Sequence, residues 1–100
     1  MSKVTIKLAP VDLRVGLMSG KYKVEVARVL LPHYIEQSTF ETELEGKDAA
    51  EEAFDLTNNP SRQAERETCY GRLRSVVSVG DIVEVDGVNF FCESFGWKVL

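Results

Sequence analysis

The stretch GKDAAEEAFDLTNNP, residues 46–60, decides the fold. Ala50, Ala53, Phe54 and Thr57 recur at i, i+3, i+4 and i+7, the spacing that aligns side chains along one face of an α-helix. A helix over Lys47–Asn58 would lay this small, largely apolar stripe on a sheet and turn Asp48, Glu51, Glu52 and Asp55 outward. Acids early in the helix suit the positive end of its dipole. Asn58-Asn59-Pro60 supplies the stop, since asparagine tolerates left-handed geometry and proline cannot continue the ladder.

Strand patterns lie on both sides of this helix. C-terminal to it, Ile82–Val85 and Val88–Glu93 flank Asp86-Gly87, a dipeptide suited to the type I′ turn of a β-hairpin, and Trp97–Leu100 adds a short final strand after Gly96. On the N-terminal side, Lys3–Leu8 alternates with period two, showing Val4, Ile6 and Leu8 to a core until Ala9-Pro10 ends it. Val11–Gly20 is mixed in polarity and contains two glycines, as expected of a loop or a turn of helix before a loop. Tyr22, Val24 and Val26 alternate with Lys23 and Glu25 before an apolar run that stops at Pro32, which predicts a central strand. Thr39, Phe40 and Thr42 predict another strand around Ser38–Leu44. Ser61–Arg72 is polar and reads as either a short helix or a loop. The expectation is an α+β domain spanning residues 1–100: a small antiparallel sheet, one main helix on one face, and a C-terminal hairpin.

One hundred residues with 44% hydrophobic and 28% charged composition suffice for one core without disulfides or a structural metal. No run reaches the roughly 18 apolar residues of a membrane span, and the first ten residues alternate in polarity where a signal peptide would be continuously apolar. A cytoplasmic protein without membrane association is expected. Cys69 and Cys92 lack CxxC spacing and a histidine cluster, so both are expected to be reduced and structural.

The chain offers little to a catalytic reading. His33 is the single histidine and follows Pro32 in a turn, so any triad, dyad or histidine metal site would have to be built on it. Cys69 has no base near it in sequence, and Arg66 and Arg72 alone would only lower its pKa. No Walker, dinucleotide-binding or EF-hand spacing is present. We expect a binding protein with no enzymatic activity, cofactor or metal.

Charge is distributed unevenly: net +4 over residues 1–28, −7 over 29–60 and −1 over 61–100. The acids Glu41, Glu43, Glu45, Asp48, Glu51, Glu52 and Asp55 dominate the middle segment. They read either as a solvated strand edge and helix face or as a surface that docks on a basic partner, imitating nucleic-acid phosphates. The second candidate is Arg62, Arg66, Arg72 and Arg74 beside Tyr70, a basic and aromatic mixture able to contact single-stranded nucleic acid. An overall acidic chain is a poor general nucleic-acid binder, which makes this the alternative. Phe90, Phe91, Phe95 and Trp97 are expected in core and hairpin packing instead of a stacking platform.

Three pieces of residues 51–100 carry a resemblance: Glu52-Ala53-Phe54-Asp55-Leu56-Thr57-Asn58, the segment from Arg74-Ser75 to Ser78-Val79-Gly80-Asp81-Ile82-Val83, and Cys92-Glu93-Ser94-Phe95-Gly96-Trp97-Lys98. In this order they resemble small proteins of unassigned function encoded by bacterial phages, plasmids and integrated elements. The resemblance implies a mobile-element accessory protein acting in the bacterial host cell and brings no catalytic residues. Small acidic phage proteins often block host defence machinery, so an anti-CRISPR-like inhibitor of a host complex is the concrete expectation, by analogy.

Overall fold

The computed structural model describes residues 1–10, 24–64, 77–93 and 96–100. Its five strands are β1 (Ser2–Leu8), β2 (Ile35–Thr42), β3 (Ile82–Val85), β4 (Val88–Glu93) and β5 (Gly96–Val99). They form one sheet in the order β2-β1-β3-β4-β5 with every neighbouring pair antiparallel. Among the described residues, helices α1 (Val24–Leu30) and α2 (Gly46–Asn58) join the sheet in an α+β architecture.

The predicted hairpin is present with its turn chemistry. Asp86 at φ 48° and Gly87 at φ 86° both take the left-handed conformation that a type I′ turn requires. Asp86 also ties the turn to β1: its Oδ1 accepts from the Lys3 backbone N–H at 2.8 Å, and its own N–H donates to the Lys3 carbonyl at 3.0 Å. That backbone donor, helped by the Ser2 hydroxyl, holds the Asp86 carboxyl below the usual range.

Strand alternation sorts the core into two faces. Val4, Ile6, Phe40, Val83, Val85, Phe90 and Cys92 pack against Ala49, Ala50, Ala53 and Leu56 of α2. Their neighbours in register, Ile82 and Phe91, point to the opposite face and meet Val24 and Ala27 of α1, with Ala9 and Tyr34 beside them. The remainder of that second face is polar, with Lys7 Nζ held by Glu84 at 2.7 Å and the Thr5 and Thr39 hydroxyls 3.3 Å apart.

The segment expected to be a central strand is instead α1, followed by a 3-10 turn over Leu31–His33; the part of that prediction over residues 22–23 falls outside the described residues. Val24 and Ala27 are buried one helical turn apart, whereas Val29 is 77% exposed, a distribution that period two cannot produce. Tertiary burial overrides local preference here, since valine in a helix costs only some tenths of a kcal/mol per residue. The positions the valines were expected to fill in the sheet belong to β1 and β3, and what remained to be covered was the Ile82 and Phe91 face.

Smaller differences concern boundaries. The strand predicted over Ser38–Leu44 runs Ile35–Thr42, with a bulge near Ile6 and Lys7 where Ser38 and Glu36 take successive partners and Gln37 is the extra residue. The α2 stripe comprises Ala49, Ala50, Ala53, Leu56 and Thr57, so Phe54 sits half-buried at its rim and not at its centre. Asn59 ends α2 in extended and not left-handed geometry (φ −79°, ψ 114°), consistent with the restriction that Pro60 places on its predecessor. The last strand begins at Gly96. Of Ser61–Arg72, a 3-10 turn over Pro60–Arg62 is described and residues 65–72 lie outside; the loop predicted over Val11–Gly20 lies outside as well.

Candidate functional site

The predicted acids lie on β2, on its connection into α2 and on the outer helix face, and the structure divides them into four groups. Glu41 follows the buried Phe40, so strand alternation turns it to the sheet face away from α2, where its register partner is Lys3. Glu43, Glu45 and Asp48 are exposed around the helix N-terminus. Glu45 occupies the N-cap position, where its backbone carbonyl accepts from the Asp48 and Ala49 N–H groups and its side chain makes no cap bond. Glu51 accepts from the Trp97 indole Nε1–H at 2.5 Å. Glu52 and Asp55 share Arg62, whose guanidinium bonds Glu52 and lies 2.8 Å from Asp55 Oδ2.

Arg62 is positioned by the chain just beyond α2. Asn59 Oδ1 accepts from the Ser61 N–H at 3.1 Å and the Ser61 hydroxyl at 2.8 Å, which curls Pro60–Arg62 back along the helix. The guanidinium predicted to contact nucleic acid is therefore neutralised by two carboxylates of its own chain. Arg66, Arg72, Arg74, Tyr70, Cys69 and Phe95 lie outside the described residues.

A cavity of about 140 Å³ opens between α2 and the β4–β5 edge, lined by Glu51, Phe54, Cys92, Glu93, Gly96 and Trp97. Cys92 pairs with Trp97 across the strands, placing the thiol and the indole on the α2 side of the sheet. The Phe54 and Trp97 rings meet edge to face, with centroids 6.4 Å apart and planes at 86°. Cys92 is a free thiol, 3% exposed, pushed up to about 12 by burial first and then by the charges of Asp81, Glu51 and Glu93. Burial of this kind disfavours the thiolate that nucleophilic chemistry requires.

The polar centre of the opposite face was not anticipated. Asp81 is completely buried; its Oδ1 accepts from the Ala9 N–H at 2.8 Å and its Oδ2 from the Ser78 N–H at 2.9 Å. Beside it the Tyr34 hydroxyl donates to the Gly80 carbonyl at 2.6 Å, and burial together with the Asp81 charge pushes the phenol up. This knot joins the end of β1, the exit from α1 and the entry to β3. The SVGD quartet at 78–81 thus acts as a structural clasp. A second anchor is Thr57, whose hydroxyl donates to the Ala53 carbonyl and accepts from the Val77 N–H, while Asn58 Nδ2 donates to the Val77 carbonyl.

His33 is exposed on the 3-10 turn. Among the described residues, no three His, Cys, Asp or Glu side chains converge in an arrangement able to hold a metal ion, and no helix is long and apolar enough to cross a membrane. No protein-family model, curated protein sequence or solved structure matches the chain.

Proposed function

We propose that this chain is a non-enzymatic protein-binding accessory protein of a phage or other mobile element, acting as an anti-CRISPR-like inhibitor by docking its acidic α2 side on a basic surface of a host defence complex. The observation that carries this reading is the exposure of Glu43, Glu45 and Asp48 around the N-terminus of α2, with Glu51 one turn further along the helix, the first three with no side-chain partner among the described residues. Carboxylates left to solvent cost the fold little and present a field that accelerates encounter with a basic partner. The resemblance of residues 51–100 to mobile-element proteins supplies the biological setting.

Glu43→Lys with Glu45→Lys is the informative variant, because neither side chain holds another part of the fold. Phage plating in a CRISPR-bearing host, with and without the gene, reads function; association kinetics with the captured host complex at two salt concentrations read mechanism. We expect protection of the phage by the wild-type chain and a slower, less salt-sensitive on-rate for the double variant. Unchanged plating together with no retained partner rejects the reading.

A further inference from the structure

The cavity beside Trp97 has a chemistry more specific than general acidity. Its walls are two aromatic rings, its floor is the buried Cys92, and Glu51 stands at its mouth. The indole Nε1–H is already given to Glu51 Oε1, so what the indole has left for an entering group is its π-system and no donor. Glu51 retains its second oxygen, since a carboxylate accepts about four hydrogen bonds. The Cys92 S–H is directed to the Glu93 carbonyl at 3.9 Å, so the side-chain polarity left for an entering group is that of an acceptor, the Glu51 carboxylate. At about 140 Å³ the space is near the roughly 150 Å³ that holds a benzene and far below the roughly 300 Å³ at which ligand pockets begin, so it fits one side chain.

We propose that this cavity receives an arginine side chain from a protein partner, with the guanidinium stacked on Trp97 and hydrogen-bonded to Glu51. A planar, weakly hydrated cation that donates along its edges and stacks through its face matches an acceptor-only aromatic slot, and a lysine ammonium matches it less well. Arginine is also the charged residue most often found as an interface anchor. This inference rests on the protein-binding reading above and gives it an anchor point.

Trp97 is the single tryptophan of the chain, so its fluorescence reports the cavity directly. The full chain is titrated with acetyl-arginine amide, and with acetyl-citrulline amide as the neutral isostere, at constant ionic strength. A saturable change with the arginine probe is expected, about tenfold weaker with citrulline, and about tenfold weaker with arginine in Glu51→Gln, which keeps an acceptor for the indole. Thermal melting confirms that this variant is folded. Equal responses to both probes, an unchanged response in Glu51→Gln, or no saturable response overturns the proposal. The two readings separate cleanly. A selective arginine response alongside no host partner supports the cavity assignment while the inhibitor reading fails, and a silent Trp97 alongside charge-dependent partner binding overturns the cavity assignment alone.

Discussion

The two faces of the sheet are held by different physics. Under α2, alanines, Leu56 and the strand valines exclude water over a continuous apolar layer, and polar groups enter only at its margins. Under α1 the apolar patch is small, and its neighbour is a buried carboxylate holding two backbone N–H groups, with a buried phenol next to it. An apolar layer depends on volume and tolerates changes of shape. A buried acceptor depends on charge and direction, because each donor it leaves unmet bears a full desolvation penalty.

Asp81→Ala should show the largest effect, about 3–5 kcal/mol by chemical denaturation, since it strands the Ala9 and Ser78 N–H groups. Leu56→Ala should follow at about 2–4 kcal/mol through the cavity it leaves under α2. The contrast sharpens with near-isosteric pairs: Asp81→Asn turns one acceptor into a donor and should cost about 2–3 kcal/mol, whereas Leu56→Met should cost under about 1.5 kcal/mol. Should both conservative variants melt at the same denaturant concentration, the distinction between the faces collapses.

Alkaline pH separates the faces in another way. Tyr34 is raised above its ordinary 10 and Cys92 is raised from 9 to about 12, so each favours the native state only while neutral. Their stabilisation is complete below pH about 9, declines first through Cys92 on the α2 face between 9 and 12, and declines through Tyr34 on the α1 face above 10. Denaturation midpoints taken from pH 7 to 11 should fall for the wild type, and less steeply at the upper end for Tyr34→Phe. That variant should also lose about 1–2 kcal/mol at neutral pH with the Gly80 hydrogen bond. The smallest effect belongs to the rim of the α2 face: a double-mutant cycle of Phe54→Ala and Trp97→Ala should yield a coupling of about 0.5–1.5 kcal/mol. A coupling of zero would mean that the two rings are merely adjacent.

Local patterns in the sequence were sufficient for α2, for the Asp86-Gly87 hairpin, for β1, and for the existence of acids on the outer helix face. In each case the determining forces act within a few residues: a 3.6-residue stripe, a period-two alternation, a dipeptide that accepts positive φ. The tertiary structure decided the rest. It made Val24–Leu30 a helix, because the face around Ile82 and Phe91 needed covering and the strand positions were filled. It brought Asp81 to Ala9 across 72 residues and Trp97 to Glu51 across 46, and it set Arg62 against Glu52 and Asp55. A buried carboxylate, an aromatic slot and a neutralised arginine are properties of partners, and partners this far apart are chosen by strand order and register, which periodicity along the chain does not encode.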